Sequence, residues 1–298
     1  MKLALRRKPA APPVTFGPST LHWAESSYAE QAWGRSRAAS KRWAVAGAVV
    51  GASIAAVAFA PAAWLVRAVA SASGERLLLT DARGTVWSGS AVPVLTGGPG
   101  SRDATALPGR LAWTIGLAGA AFEVRATQAC CLNGTVALRL APGLSRWTAT
   151  LVPPSSWIGQ WPGAWLGGLG TPWNTLELGG TIRLLSPSFA LEWVAGRWRV
   201  DGQADVELIN ASSRLSTLEA LGSYRLRLIG DPANGGQPQL TLSTQSGALQ
   251  LSGAGSWGPG GMRFRGEARA DQGDEPALSN LLNIIGRRDG ARSVISIG

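Results

Sequence analysis

The sequence predicts a mainly β protein: an N-terminal single transmembrane helix followed by an antiparallel, twisted and curved β-sheet domain. Three observations carry this. Residues 43–66 read WAVAGAVVGASIAAVAFAPAAWLV without one charge. Residues 77–270 alternate apolar and polar side chains in short runs. The chain spends 39 Gly and 18 Pro of its 298 residues on turns, while only 15% of it is charged, against roughly 25% in ordinary soluble chains.

Residues 1–42 form a basic, Pro-rich tail. Residues 8–19 (KPAAPPVTFGPS) read as extended chain, and Ser19 or Thr20 caps a short helix to about Trp33. This tail carries eight Lys and Arg against two Glu, a net +6 of the protein's +10; the other 256 residues carry +4, with both signs interspersed. A nucleic-acid binder would need a clustered basic face, so no nucleic-acid partner is expected.

The stretch 43–66 exceeds the roughly 20 apolar residues that cross a bilayer. Trp43 and Trp64 sit near its ends, where indoles favour the headgroup zone, and Pro61 allows a kink. Ala70-Ser71-Ala72 has the form of a cleavage site, but the run is longer than a signal peptide's apolar core of roughly 7–15 residues. The expectation is an uncleaved anchor spanning the inner membrane of a bacterial envelope. Arg35, Arg37, Lys41 and Arg42 precede it and resist translocation. The N-terminus is therefore expected in the cytoplasm, and a linker (67–76) and β-rich domain (77–298) in the periplasm.

That domain reads as strands near 77–79, 85–87, 110–115, 122–126, 135–140, 181–185, 190–194, 198–200, 204–209, 224–229, 240–243, 248–252 and 262–268. Period-two alternation closed by Gly, Pro, Asn or Asp indicates antiparallel strands with one wet face. Arg83, Asp103, Glu123 and Arg139 read as solvated strand positions. Leu111-Ala112-Trp113 and Leu191-Glu192-Trp193 hint at two similar halves, 77–185 and 186–298. Two stretches have helical spacing. Trp157, Trp161 and Trp165 recur at i, i+4 and i+8, interrupted by Pro162. Residues 277–285 place Leu278, Leu281, Leu282 and Ile285 on one face before Gly286.

Catalytic chemistry is not written in the external part. The only His is His22, in the tail, and the only lysines are Lys2, Lys8 and Lys41, which removes His- and Lys-based nucleophile activation there. Gly253-Ala254-Gly255-Ser256-Trp257-Gly258 fits GxGxxG by letter, but Pro259-Gly260-Gly261 follows where a helix is needed; it reads as a turn. Asp201, Asp205 and Glu207 alternate along a strand, a solvated face in the default reading. Adjacent Cys130 and Cys131 lack further metal ligands nearby; a vicinal bridge, buried thiols and an intermolecular link stay open. No enzyme activity, metal, cofactor or small-molecule substrate is expected.

Gly84-Thr85-Val86-Trp87-Ser88-Gly89-Ser90-Ala91, just behind the anchor, resembles the Gly-Thr-Val/Leu-Trp-x-Gly-x-Ala turn of the type II secretion system protein N (general secretion pathway protein N) family. Leu107-Pro108-Gly109-Arg110-Leu111-Ala112-Trp113, Ala220-Leu221-Gly222-Ser223-Tyr224-Arg225-Leu226 and Ser246-Gly247-Ala248-Leu249-Gln250-Leu251-Ser252-Gly253 are similar to later strands of that family, in order. The 42-residue tail departs from the family in length. On the residues alone, Gly84 permits a positive-φ turn, Thr85-Val86-Trp87 starts a strand, and Gly89 allows a bulge or close backbone approach.

The resemblance implies an accessory, non-enzymatic subunit of the machinery that exports folded proteins from the periplasm across the outer membrane. It would meet other envelope subunits of that machinery through sheet edges and apolar patches. Trp157, Trp161 and Trp165 are the expected partner contact. The competing expectation is a lipid-handling envelope protein similar to the AsmA family, its amphipathic strands forming an apolar groove.

Overall fold

The computed structural model describes residues 41–152, 157–194, 196–230, 237–258 and 261–298. The tail helix expected before Trp33 lies outside them. The chain divides into two compact units at Ala58/Phe59. The first holds α1 (Lys41–Ala58), a candidate membrane span with none of its window buried. Its 18 residues rise about 27 Å, near the roughly 30 Å of a hydrocarbon core.

The second unit opens with α2 (Ala62–Ala72). The single helix expected over 43–66 is thus two. Pro61 stands between them in extended conformation, φ −67° and ψ 146°, and a proline has no N–H to continue a helical ladder. Ala62, Leu65, Val66 and Val69 follow at i, i+3, i+4 and i+7, and they pack on Leu79, Ala91 and Trp113. Residues 62–66 therefore cover protein, and most of the expected linker is helical.

Sixteen strands follow: β1 (Leu77–Gly84), β2 (Ser88–Thr96), β3 (Ala104–Ala106), β4 (Leu111–Ala118), β5 (Ala121–Thr127), β6 (Val136–Gly143), β7 (Arg146–Val152), β8 (Gly159–Pro162), β9 (Gly179–Val194), β10 (Arg197–Ser212), β11 (Gly222–Gly230), β12 (Gln239–Ser246), β13 (Leu249–Gly258), β14 (Gly261–Ala270), β15 (Arg287–Asp289) and β16 (Arg292–Ile297). They make one antiparallel sheet in the order β1-β2-β4-β5-β6-β7-β9-β10-β11-β12-β13-β14-β16-β15, with β3 added to β2 and β8 to β9. The sheet does not close. Its end strands are poor templates for further pairing: β15 is three exposed charged residues, and β1 carries Asp81 and Arg83.

Two pairs of expected strands merge. Residues 181–185 and 190–194 are both β9, and 198–200 and 204–209 are both β10. A register shift between Gln203 and Asp205 absorbs the irregularity that looked like a break. The expected boundary between halves, 185/186, falls inside β9, which pairs with β7, β8 and β10.

Register assigns every strand two faces. Val124 opposes Leu138, Leu138 opposes Leu151, Leu191 opposes Val200, and Leu226 opposes Leu242. These side chains form one apolar face. The intervening residues pair charges across strands: Glu123 with Arg139, Glu207 with Arg225, Asp205 with Arg227. The two 11-residue helices of the second unit sit on the apolar face. α2 covers β1, β2 and β4. α4 (Glu275–Ile285) covers β11 to β16: Leu278, Leu281 and Leu282 are 0%, 1% and 0% exposed, clustered with Leu221, Tyr224, Leu249 and Ala268. Between these covers, Leu138, Leu151, Leu184 and Leu191 are only half-buried.

The connections are unequal at the two ends of the strands. At one end lie the short turns 85–87, 119–120 and 144–145, with the paired strand ends Val194/Arg197 and Gly258/Gly261. At the other lie most of the longer connections, with β3, Cys130 and Cys131, β8, a 3₁₀ turn (Gly163–Leu169), α3 (Trp173–Leu176) and α4.

Gly253-Ala254-Gly255-Ser256-Trp257-Gly258, expected as a turn, is strand β13. A Cβ on Gly253 would stand 2.4 Å from Phe264 Cζ, and one on Gly255 would stand 2.5 Å from the Arg263 carbonyl oxygen. The glycines make room for the Phe264 ring on the neighbouring strand.

Candidate functional site

Gly84 to Gly89 close the β1–β2 hairpin, and this turn is where the chain arriving from α1 is fixed to the sheet. Gly84 has φ +89°. Gly89 pairs with Gly84; a Cβ on it would stand 2.6 Å from the Arg83 carbonyl oxygen and 2.6 Å from Trp113 Cζ2. The Thr85 N–H donates to Ser88 O (2.8 Å), and the Ser88 N–H donates to Thr85 Oγ1 (3.1 Å). Three further bonds leave the turn. The Val86 N–H donates to Ala60 O (2.8 Å), Trp113 Nε1–H donates to Val86 O (3.0 Å), and the Ile115 N–H donates to Trp87 O (2.7 Å). Residues 85–87 therefore do not begin a strand. Their backbone groups bind the incoming chain and β4, and β2 starts at Ser88.

The sequence marked this turn by its glycines. It did not show that Ala60 and Trp113 are its partners, because both are distant in sequence and carry no local pattern.

Trp157, Trp161 and Trp165 do not form a helical stripe. Trp161 lies in β8 and Trp165 in the 3₁₀ turn, because Pro162 is extended (φ −65°, ψ 135°) and Gly163 abuts the Gly179 carbonyl, where a Cβ would meet it at 2.7 Å. Residues 153–156 are outside the described residues. Trp161 and Trp165 stack at 6.4 Å between ring centroids, and Trp165 Nε1–H donates to Thr105 O (3.1 Å). All three are half-buried, so much of their indole surface is used within the unit.

The charged face also differs from expectation. Glu123 is buried, not solvated. Its carboxylate accepts Arg125 Nε–H (2.6 Å) and Arg139 Nε–H (3.0 Å). Asp103 accepts Asn174 Nδ2–H (3.1 Å). Asp205 is bound by Arg227 and Glu207 by Arg225. Each of these carboxylates is committed to a neighbour in its own fold.

The arginines hold three carboxyls below their ordinary values. Glu123 is lowered by its Arg139 and then Arg125 hydrogen bonds, Asp81 by Arg110 and then Arg83, and Glu267 chiefly by Arg269. A depressed folded-state pKa stabilises the fold above the unfolded value and loses that contribution as pH falls through the folded one. Thermal midpoints in detergent should therefore hold near neutrality and decline below the ordinary glutamate value of 4.5. Glu123→Gln should remove part of that acid slope, and an unchanged slope would exclude Glu123 as a contributor.

Cys130 and Cys131 are bonded to each other, with Cys131 buried and Cys130 exposed. They lie in the β5–β6 turn. There the Gln160 N–H donates to Cys131 O (2.7 Å), tying the turn to β8.

An open antiparallel meander headed by a candidate membrane span, its carboxylates tied in cross-strand ion pairs, defines the class: an open β-sheet protein with one candidate membrane helix. The family model for type II secretion system (T2SS), protein N, matches residues 75–295, from just before β1 to the last strand. The chain belongs to that family and is a type II secretion system component. No curated protein and no solved structure matches it.

Proposed function

We propose that this chain is an accessory, non-enzymatic subunit of the secretion system, held in the inner membrane by α1 with its sheet in the periplasm. It would support export of folded proteins across the outer membrane by contact with other subunits. The family match over residues 75–295 carries this reading. The basic residues preceding α1 support a cytoplasmic N-terminus. The Cys130–Cys131 bond supports an oxidising compartment for the sheet. The end of the sheet bearing most of its longer connections, with Trp157, Trp161 and Trp165, is the surface we assign to partner subunits. Deletion of the gene should leave folded exoproteins stranded in the periplasm, and a chain lacking residues 41–58 should not restore export. Normal export in the deletion strain sinks the proposal.

One observation favours a second reading, lipid handling in the manner of the AsmA family. The apolar face runs unbroken across β4 to β14, and helices cover it only towards its two sides. Intact export with loss of lipid asymmetry on deletion would select this reading over the first.

A further inference from the structure

Among the described residues of the second unit, the large apolar side chains at least half exposed all lie at the short-turn end of the sheet. Phe59 (78%) and Trp64 (53%) flank the start of α2, beside the β1–β2 turn. Leu117 (77%) is next to last in β4, Leu144 (100%) is in the β6–β7 turn, and Trp147, Trp198 and Trp257 (50%, 63% and 56%) stand at the tips of β7, β10 and β13. Trp147, Trp193 and Trp198 are direct register neighbours across three strands. Among the described residues, the opposite end has no large apolar side chain this exposed. A set so one-sided is not the scatter of single apolar residues found on ordinary surfaces.

Exposed arginines share this end. Arg197 and Arg199 flank Trp198, and Arg263 follows the β13–β14 turn; none forms an ion pair with a described residue. Beside Trp257 a depression is lined by Ser256, Arg263, Arg265 and Ser296. Indoles that favour the headgroup zone, interleaved with guanidinium groups that bind phosphate in forked hydrogen bonds, match a phospholipid surface.

Chain length places such a surface within reach. α1 ends at Ala58, and the Ala60 carbonyl already accepts the Val86 N–H of the β1–β2 turn. Two residues reach at most about 7 Å. The β1–β2 corner of the short-turn end is therefore held within that reach of the end of α1.

We propose that this end of the sheet docks on the leaflet from which α1 emerges, its Trp and Leu tips in the headgroup zone and its arginines on lipid phosphates. The inference rests on the reading of α1 as a membrane anchor. The opposite end would then face away from the membrane, towards partner subunits.

The full chain, reconstituted in vesicles of phosphatidylethanolamine and phosphatidylglycerol, tests this. Cysteine is placed singly at Leu144, Gln272 or Val50 and labelled with an environment-sensitive fluorophore, leaving the Cys130–Cys131 bond oxidised. Nitroxide-bearing lipid should quench the label of Leu144→Cys about threefold or more above that of Gln272→Cys. Val50→Cys, in α1, reports insertion. Quenching at 50 with none at 144 overturns the docked edge alone, leaving it to water or a protein partner. Quenching at neither overturns the anchor as well. Combined Trp147→Ala, Trp198→Ala and Trp257→Ala should lower quenching at 144 without changing the circular dichroism; undiminished quenching would overturn the role given to the indoles.

Discussion

Gly89→Ala is expected to lower the thermal midpoint of the sheet unit by roughly 2–12 °C. The added Cβ would stand 2.6 Å from the Arg83 carbonyl oxygen, 2.6 Å from Trp113 Cζ2 and 2.9 Å from the Thr85 carbonyl oxygen. Two of these atoms are backbone and cannot rotate away. The third belongs to an indole that is 5% exposed and hydrogen-bonded to Val86 O. Overpacking of this kind costs about 1–3 kcal/mol, and a domain of this size loses about 2–4 °C per kcal/mol. The effect should spread, because the same turn donates to Ala60 and accepts from Ile115. Gly116→Ala is the matched control: Gly116 is an exposed strand glycine whose Cβ would meet nothing within 4 Å, so its midpoint should barely move. Circular dichroism melts of the full chain in detergent decide the matter. Equal midpoints for the two variants would mean the junction is not packed as described.

What the sequence made legible here is what local chemistry dictates. Alternation in Tyr224-Arg225-Leu226-Arg227-Leu228 sets a strand because one face must be dry, and the paired arginines find Glu207 and Asp205 on the next strand. The α4 stripe was legible for the same reason, since Leu278, Leu281 and Leu282 fall on one helical face. Trp157, Trp161 and Trp165 have helical spacing, but Pro162 and the glycines after it, which the sequence also shows, outweigh that spacing. Residues 62–66 are a different case. Ala, Leu and Val are equally at home in lipid and on a sheet, so composition cannot tell which surface will cover them. The candidate membrane-docking edge was hidden altogether. Trp147, Trp198 and Trp257 lie on separate hairpins and come to one end of the sheet only through strand order, which periodicity does not encode.

The second large effect is expected at α4. Leu282→Ala should destabilise the sheet unit by about 2–5 kcal/mol, since a large side chain removed from a closed core loses both its transfer energy and its packing. Leu282 is 0% exposed and shares its cluster with Tyr224, Leu249 and Ala268. Ser293 Oγ–H also donates to the Leu282 carbonyl, so the helix is fixed to β16 through that residue's backbone. A loosened α4 would bare the apolar face of β11 to β14, and limited proteolysis should then cut within residues 271–291 before the rest of the unit. Ile284→Ala, on the same helix but 46% exposed, should cost well under 1 kcal/mol. The comparison isolates burial from helix propensity, since both changes place alanine in one helix. If the two variants melt together and resist protease alike, α4 is not the cover of this side of the sheet, and the apolar face would be open from β5 through to β16.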